Sequence, residues 1–409
     1  MERDLVGDSE ARAGGGGRAL ETAPARTAPV GTASLEAAPH HGGFDASLFQ
    51  RLGVAYRPER DFSVNANPYG PSDSLVGALQ GLDLTAYPDP QHRPLLARMA
   101  AALGVETAQI AVDAGAARLI HACVHALCGP ERPVVAAVPA FGEVYAAAAA
   151  AGARVVEVAL PLPSALIAGN DGEVGDVRLA GASGADGDAL AGLLAERARD
   201  VGAGLVYLVN PCNPTGTVIG EAALLDLIER LDGVPLVLDE AYLSVSEAWA
   251  LAERPLPGAV VRLRSLTKEQ GTPGLRMGYA VGAAGIVAAL RAQQPAWVLG
   301  AAAEAGIAAS VLDRGWLPGL RSRWFADRDR LVAAMEAQGW EVFVGSTPYV
   351  LVRCVDGGAL RDALLSSCGV LVRDCASFGL SGWIRVSARG PDDNAVLVDA
   401  LGGQRHHQR

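Results

Sequence analysis

Short apolar runs of strand length alternate with alanine- and leucine-rich stretches of helical length from residue 118 onward. The apolar runs predict strands over 134–138, 155–158, 205–209, 236–238 and 260–263. The other stretches predict helices over 118–127, 142–151, 188–200 and 221–231. Continuous apolar strands that are separated by helices are buried on both faces, as in parallel sheets. The pattern therefore predicts an α/β fold, with a large domain whose mainly parallel central sheet is wrapped by helices.

The pattern changes after residue 291. A long helical stretch over 316–337 precedes strands at 341–344, 349–354, 370–372 and 384–387, with a helix before the third of these strands. This mixture predicts a second, smaller α+β domain. We expect an N-terminal arm over 41–65, a large cofactor-binding domain over 66–295 and a small C-terminal domain over 296–409. The glycine-rich segment 167–187 is expected to form a surface loop.

Residues 1–40 consist mostly of Gly, Ala, Pro and Thr, with few large apolar side chains. Burial of such a segment cannot offset the entropy lost on ordering it, so a disordered tail is expected. The tail has no continuous apolar stretch, and four of its first ten residues are acidic. Both features argue against a secretory signal or an organellar transit peptide.

Charge and cysteine content narrow the possible partners. The chain has 409 residues and a formal net charge of −11, from 34 Lys and Arg against 45 Asp and Glu. An excess of acid argues against nucleic-acid binding, and no apolar stretch reaches the roughly 20 residues of a membrane span. Six cysteines without a CxxC pair indicate neither a disulfide framework nor a metal site. A reduced, cytoplasmic protein is expected.

Four polar clusters follow one another in the predicted sheet domain. They are Asn-Pro-Cys-Asn-Pro-Thr-Gly at 210–216, Asp-Glu-Ala-Tyr at 239–242, Ser-Leu-Thr-Lys at 265–268, and Arg276. The first three each lie at the carboxyl end of a predicted strand, where open parallel sheets bind ligands. Alone, each cluster has an ordinary explanation as a turn, a helix start or a solvated charge. Their occurrence together indicates a site.

The clusters contain the groups that bind pyridoxal 5′-phosphate. This cofactor needs an amine for its aldehyde, an anion for its pyridine nitrogen, and donors for its phenolic oxygen and phosphate. Lys268 is predicted to be the amine, acting as nucleophile and then as proton shuttle. Asp239 is predicted to pair with the pyridine nitrogen, and Asn213 and Tyr242 with the phenolic oxygen. Lys268, Asp239 and Tyr242 are the predicted catalytic residues.

The remaining predicted cofactor contacts concern the phosphate and the ring face. Phosphate oxygens accept hydrogen bonds from side-chain donors and from the backbone N–H groups at the start of a helix. Phe141 is expected to stack on the ring. The predicted phosphate ligands are Ser265, Thr267 and Arg276, together with the backbone of Gly115, Ala116 and Ala117.

From residue 41 to residue 401, the chain resembles fold-type I pyridoxal-phosphate enzymes of the aspartate aminotransferase superfamily. It is most similar to threonine-phosphate decarboxylase of cobalamin biosynthesis and to histidinol-phosphate aminotransferase. The matching stretches are 41–43, 61–68, 87–88, 264–268, 273–276, 293–297 and 373–385. The resemblance implies a homodimer in which Tyr87 reaches the cofactor phosphate of the neighbouring subunit. It also implies that the substrate's anionic groups are faced by His41, Asn65, Arg373 and Arg385.

For two of these residues, the sequence around them also suggests an interpretation. His41 could equally be a residue of the tail. Arg385 lies in a strand that reads Trp-Ile-Arg-Val-Ser, and an arginine that faces inward there needs an anion, which favours a ligand.

Three positions depart from the family pattern. The phosphate-binding segment at 114–118 ends in Arg118 where the family usually has an acid, and a cation at a helix start opposes the helix dipole. We hypothesise that Arg118 binds an additional anionic group of the cofactor or the substrate. The segment Glu-Gln-Gly at 269–271 should change the polarity next to the reacting carbon, and Val-Leu-Gly at 298–300 replaces a usual asparagine. These differences leave the substrate open.

The class of reaction also stays open at this point. Decarboxylation matches the closer motifs, transamination is commoner in the superfamily, and β/γ-replacement or carbon–carbon bond formation is a third route. The orientation of the substrate decides between them, since the bond held perpendicular to the cofactor ring is the one that breaks. We expect a lyase or transferase that acts at the α-carbon of an anionic, possibly phosphorylated, amino acid in cobalamin or specialised-metabolite biosynthesis. A transcription regulator is disfavoured, because the tail shows no helix-turn-helix pattern.

Overall fold

The computed structural model describes residues 42–161, Leu166 and residues 184–408. Its larger sheet has seven strands in the order β1-β7-β6-β5-β4-β2-β3. Neighbouring strands are parallel except β7, which runs antiparallel to both β1 and β6. The strands are β1 (Ile110–Asp113), β2 (Val134–Val138), β3 (Val155–Ala159), β4 (Leu205–Val209), β5 (Leu236–Asp239), β6 (Val260–Ser265) and β7 (Gly278–Gly282).

Helices cover both faces of this sheet and pack against one face of the smaller one. They are α1 (Ala46–Leu52), α2 (Asp73–Gln80), α3 (Arg93–Leu103), α4 (Ala116–Leu127), α5 (Glu143–Ala150), α6 (Gly184–Asp200), α7 (Glu221–Leu231), α8 (Leu266–Gln270), α9 (Ala284–Arg291), α10 (Ala301–Leu312), α11 (Leu317–Ala337), α12 (Gly357–Cys368) and α13 (Pro391–Gly402). None of the described helices is long and apolar enough to cross a membrane.

The apolar runs form strands because both of their faces are buried. Alternate residues of β4 belong to different cores: Leu205 and Tyr207 pack with α4, α5 and α9, while Val206 and Leu208 pack with α6 and α7. A strand with a core on each side has no solvent-facing position, so it reads as a continuous apolar run rather than an alternating one. The predicted α/β class and mainly parallel sheet are confirmed.

The smaller sheet has four antiparallel strands in the order β10-β11-β9-β8. They are β8 (Val342–Val344), β9 (Tyr349–Arg353), β10 (Arg373–Asp374) and β11 (Trp383–Ser387). Its core includes Trp324, Val350 and Ile384, and Phe62 of the N-terminal segment packs into the same cluster. The backbone of Phe62 also hydrogen-bonds to Leu371 and Ser387.

Helix α10 packs with the larger sheet, since Ile307 shares a core cluster with Ile110 and Met277. The cluster around the smaller sheet instead takes its helical residues from α11 onward, beginning with Trp316 and Leu317. The division between residues 295 and 296 stays a prediction.

Two local expectations are wrong. The segment predicted as a loop up to residue 187 is already helical from Gly184, because a helix beginning there buries Gly187 and Leu190. The strand expected over 370–372 is absent from those residues: Leu371 makes a single bridge to Asp61, and β10 begins at Arg373. These residues are apolar because they are buried: Val370 and Val372 in the core beside the smaller sheet, and Leu371 against Leu48 and Phe49. The tail predicted over residues 1–40 and the segment 167–183 lie outside the described residues.

Candidate active site

The polar clusters meet at one edge of the larger sheet. Strands β4, β5 and β6 are parallel neighbours, so the segment 210–216, Asp239 and the segment 265–268 leave the sheet at the same edge. Strand β7 runs the opposite way and places Gly278 opposite both Ser265 and Asp113. Its antiparallel direction therefore brings Arg276 and the segment 114–117, which follows β1, to this edge as well.

Asp239 is a buried acid at this edge, with 3% of its surface exposed. Its Oδ2 accepts a hydrogen bond of 2.7 Å from the Tyr207 hydroxyl, and its Oδ1 accepts one of 3.1 Å from the backbone N–H of Ala241. Burial raises the pKa of Asp239, while the hydrogen bonds from Tyr207 and Ala241 and the charge of Lys268 oppose this rise. The carboxylate thus has one protein donor on each oxygen and lone pairs left for a cationic partner.

Lys268 lies in the short helix α8 that follows β6, and it is half-buried. Its Nζ lies 5.6 Å from the centre of the Tyr242 ring. The backbone around it is fixed by the segment before α2: Asn67 donates from its N–H to the Lys268 carbonyl at 2.8 Å. Gly271 ends the helix with a φ of +64°, and a Cβ there would lie 2.3 Å from the Asn67 carbonyl oxygen. This position therefore requires glycine.

The departure from the family pattern after Lys268 serves packing in this structure. Gln270 is fully buried, and its Oε1 accepts a 2.9 Å hydrogen bond from the backbone N–H of Ser72. Glu269 is also buried, and its Oε2 lies 3.5 Å from Nη2 of Arg314. These contacts tie α8 to α2 and to the turn before α11.

A cradle for an anion is formed by groups from three strands. The Ser265 and Thr267 hydroxyls are 2.9 Å apart and both residues are buried. Gly115 precedes α4 with a φ of +91°, and a Cβ there would lie 2.8 Å from Nη2 of Arg276. The backbone of Ala116 and Ala117 starts the helix without a capping side-chain hydrogen bond from the described residues. The guanidinium and the first N–H groups of α4 thus approach each other closely.

The charge of Arg118 has a protein partner nearby. Its Nε lies 3.8 Å from Oδ1 of Asp113, which is fully buried, while the arginine side chain is 47% exposed. Asp113 also accepts hydrogen bonds of 2.7 Å from the Ala114 N–H and 2.9 Å from Gln294 Nε2. A buried carboxylate therefore offsets the cation at the start of α4.

Arg385 joins the two sheets. It is buried on β11, where its Nη1 donates to Oδ1 of Asn213 and its Nη2 donates to the Ser63 carbonyl at 2.6 Å. Its Nε has no hydrogen-bond partner among the described residues, and neither has Oδ1 of Asn65. Asn65 Nδ2 lies 3.5 Å from the Tyr242 hydroxyl, and Asn65 is two residues from Ser63, whose carbonyl accepts from Arg385.

Arg373 lies directly opposite Arg385 in the register of β10 and β11. It is buried, and its Nη2 donates to the Ser377 hydroxyl at 2.8 Å. Burial and the positive charge of Arg385 lower the pKa of Arg373 to about 10. Like charges opposite each other on neighbouring strands are destabilising. The register thus places two buried guanidinium groups opposite each other at this position.

Three other predicted residues have different surroundings. Tyr87 is 84% exposed, and its ring lies 5.2 Å from that of Trp297. Phe141 is partly buried and packs against the core between the larger sheet and α4. His41 lies outside the described residues. The backbone N–H of the nearby Gly43 donates to the Ser63 hydroxyl at 2.7 Å.

The motifs did not identify two further residues of this region, Tyr207 and Tyr349. Tyr349 is fully buried, its hydroxyl donates to the Cys212 carbonyl at 3.0 Å, and its ring packs edge-on against Tyr242. Tyr207 is a single tyrosine in an otherwise apolar strand, which signals that its buried hydroxyl has a partner.

The sequence also holds a signal that supports Lys268. It is the only lysine in the chain, and the other 33 of the 34 Lys and Arg residues are arginines. Arginine cannot be deprotonated in proteins and so cannot act as an amine nucleophile.

The fold and the residues at this edge indicate one class of α/β enzyme, and comparison with known proteins finds the same class. The family model described as aminotransferase class I and II matches residues 59–401. Histidinol-phosphate aminotransferase of Roseiflexus castenholzii is 30% identical over 369 residues, which cover 87% of this chain and 92% of that protein. The chain therefore belongs to the class I and II aminotransferase family. It is a pyridoxal-phosphate-dependent enzyme, as predicted, in a family that acts on amino-acid substrates and is generally dimeric.

Solved structures share the fold. Histidinol-phosphate aminotransferase from Sinorhizobium meliloti, in complex with pyridoxal-5′-phosphate, superimposes with a TM-score of 0.72 at 23% identity, covering 87% of this chain and 93% of that one. L-threonine-O-3-phosphate decarboxylase from Porphyromonas gingivalis gives a TM-score of 0.64 at 21% identity, covering 84% and 99%. The predicted fold-type I architecture is confirmed.

Proposed function

We propose that this enzyme is an aminotransferase for a small amino compound that carries a phosphate group. The observation that carries the substrate class is the buried pair Arg373 and Arg385. A phosphate group carries a charge of about −1.5 to −2 at neutral pH. One phosphate therefore offsets both guanidinium charges, and planar guanidinium groups suit its oxygens. The Asn65 amide oxygen and Arg385 Nε, both unsatisfied, supply further polar contacts for the substrate.

The residues at the sheet edge fit the cofactor. Bound pyridoxal phosphate supplies an electron sink for negative charge that develops at the substrate's reacting carbon. Asp239 would hold the pyridine nitrogen, since its buried carboxylate retains free lone pairs. Asn213 and Tyr242 would face the phenolic oxygen, and Phe141 the ring.

The cradle would hold the cofactor's phosphate. Its donors are the Ser265 and Thr267 hydroxyls, the Arg276 guanidinium, and the first N–H groups of α4 at Gly115, Ala116 and Ala117. Support comes from the close approach of Arg276 to Gly115, because a side chain at residue 115 would fill the space between them.

Lys268 would bind the cofactor's aldehyde and then move a proton at the substrate's reacting carbon. It is half-buried, and its Nζ lies 5.6 Å from the centre of the ring of Tyr242, which is the proposed contact of the phenolic oxygen.

The partner subunit would complete the site. Tyr87 is 84% exposed, and its ring lies 5.2 Å from that of the half-exposed Trp297, so the two form an exposed aromatic pair. We propose that both lie in a homodimer interface, from which Tyr87 reaches the cofactor phosphate in the neighbouring subunit.

The relatives suggest histidinol phosphate as a first candidate substrate, and threonine phosphate is the second. The second follows from the sequence stretches shared with threonine-phosphate decarboxylase, and it would make the enzyme a lyase. Both compounds present one phosphate to the arginine pair. They differ in the bond that is broken and in the need for an oxo acid.

The reaction is tested by incubating the holoenzyme with each phosphate ester, with and without 2-oxoglutarate, and following the products by mass. Dependence on the oxo acid, with glutamate as a product, is expected. Release of carbon dioxide without an acceptor would replace the aminotransferase with the lyase. Equal turnover of esters and their dephosphorylated forms would contradict the substrate class.

The single lysine allows a direct test of its role. After reduction of the holoenzyme with borohydride, peptide mapping should find the cofactor's mass on the peptide that contains Lys268 and on no other side chain. The Lys268→Ala variant should lose the visible absorbance of the lysine-bound cofactor and its turnover. Retained turnover in that variant would contradict the role proposed for Lys268.

A further inference from the structure

Tyr207 is a buried polar residue to which the proposed site gives no role. It lies at the centre of β4, in the sequence Leu-Val-Tyr-Leu-Val, and 1% of its surface is exposed. A tyrosine hydroxyl buried in an apolar strand needs a hydrogen-bond partner. Its partner is the Asp239 carboxylate, 2.7 Å away.

The sheet register explains the contact. Strands β4 and β5 are parallel, with Tyr207 opposite Val237 and Val209 opposite Asp239. Tyr207 is therefore two residues short of the level of Asp239 and approaches the carboxylate from the interior of the protein. It packs in the core cluster beneath α4, which also contains Cys123.

The two contacts of Asp239 differ in kind. One is the backbone N–H of Ala241, two residues along the same chain segment, at 3.1 Å. The other is the Tyr207 hydroxyl, which comes from a different strand and so restrains the carboxylate against rotation. Burial raises the pKa of Tyr207 well above its ordinary value, as does the neighbouring Asp239, so the hydroxyl stays protonated and donates.

We propose that Tyr207 is a positioning residue of the active site, whose hydroxyl keeps Asp239 charged and directed at the cofactor's ring nitrogen. This inference rests on the proposed role of Asp239. Burial alone favours the neutral acid, which cannot stabilise a protonated ring nitrogen, and a hydrogen bond to the carboxylate favours the charged form. Tyr207 thus acts through Asp239 and touches neither cofactor nor substrate.

The test compares Tyr207→Phe, Asp239→Asn and the double variant with the wild-type enzyme. Phenylalanine keeps the ring in the core and removes only the donor. Hydrogen bonds to charged groups correspond to an effect of about tenfold or more. We expect the Kd of the cofactor-free protein for pyridoxal phosphate to rise about tenfold, and kcat to fall while KM changes little. In the Asp239→Asn background, the same substitution should change the Kd by less than about twofold.

A matched control is available in Tyr145→Phe. The Tyr145 hydroxyl donates to Oε1 of Glu157 at 2.7 Å, so this variant also loses a tyrosine–carboxylate hydrogen bond, but one that does not involve Asp239. It should bind the cofactor like the wild type. Replacement of Tyr207 by 3-fluorotyrosine, which keeps the donor, should also retain wild-type affinity.

The outcomes separate the two proposals. If Asp239→Asn leaves cofactor affinity and the visible absorbance spectrum unchanged, the role of Asp239 fails, and the inference fails with it. If Asp239→Asn has its effect but Tyr207→Phe behaves like Tyr145→Phe, only the inference on Tyr207 is overturned. An equal effect of Tyr207→Phe in both backgrounds would mean that the residue acts through packing, which also overturns it.

Discussion

Several charged side chains at the site lie in buried surroundings that disfavour their charge. Asp239 is a buried acid beside few donors, and Arg373 and Arg385 are buried cations that face each other. Burial disfavours the charge on each of these groups. Under the proposed function, a charged cofactor and an anionic substrate add opposite charges beside them, at a cost to the stability of the ligand-free protein.

Asp239 should show this trade-off as a pH-dependent stability. Because burial raises its pKa, the native cofactor-free protein binds this proton more tightly than the unfolded chain does. The stabilisation from the protonated form is complete at low pH and is lost as the pH rises through the native pKa. We expect cofactor-free Asp239→Asn to be more stable than wild type at neutral pH, and the difference to shrink as the pH falls. Urea unfolding at a series of pH values measures it.

With the cofactor bound, the order should reverse, because the charged carboxylate then has its partner. A variant that is less stable than wild type in both states would contradict this account.

Arg118 has two candidate partners, the buried Asp113 at 3.8 Å and an anion at the cradle. If it also binds an anionic group, Arg118→Ala should weaken pyridoxal phosphate or substrate binding by about two- to fivefold, the factor that corresponds to ~0.3–1 kcal/mol. Arg98, which is exposed on α3, supplies the control, Arg98→Ala. Equal cofactor affinity and equal kcat/KM in Arg118→Ala and wild type would limit its partner to Asp113.

At the scale of elements, the direction of β7 decides which residues meet. Since β7 is antiparallel to its neighbours, Arg276 arrives at the same edge as the carboxyl ends of β1 and β6. Close backbone approaches fix these elements to one another: a Cβ at Gly278 would lie 2.7 Å from the Gly115 carbonyl carbon. Glycine is needed where the segments between strands cross, because a side chain there would push the parts of the cradle apart.

Gly271, at the end of α8, offers a test of this principle. Alanine there would combine a left-handed φ of +64° with a contact of 2.3 Å to the Asn67 carbonyl oxygen. We expect Gly271→Ala to lower the free energy of unfolding by about 1–3 kcal/mol and to disturb Lys268, whose carbonyl bonds to Asn67. Urea unfolding and cofactor absorbance measure the two effects. Gly274→Ala, in open space three residues further on, should change neither, and a comparable loss in that control would refute the local explanation.

For the whole molecule, an acidic chain encloses a basic site. The net charge is −11, yet four arginines, 118, 276, 373 and 385, lie around the proposed cofactor and substrate positions. The N-terminal segment and both sheets contribute to this region: Arg385 of the small sheet bonds to Asn213 beside the large sheet and to Ser63 of the arm. The site therefore depends on how all three parts assemble.

The proposed contribution of Tyr87 to the neighbouring subunit predicts complementation between two impaired variants. Lys268→Ala lacks the amine and Tyr87→Ala lacks the residue donated to the partner. Random mixing of subunits makes half of the dimers mixed, and each mixed dimer has one intact site, so activity should reach about a quarter of the wild-type value. The measurement is turnover after co-expression with two different affinity tags. A mixture whose activity equals the average of the parents would contradict the shared site.

The sequence by itself determined the sheet and the cofactor edge. Strands buried on both faces must be continuously apolar, and polar residues that follow parallel strands must meet at one edge, so the positions of Asp239, Asn213 and Lys268 could be predicted. Only the tertiary structure decided which side chains that are distant in sequence contact each other. The Tyr207 bond to Asp239, the pairing of Arg373 with Arg385, and the approach of Arg118 to Asp113 depend on strand register and direction. Local residue patterns carry periodicity and strand ends, but not the register between segments that are distant in sequence.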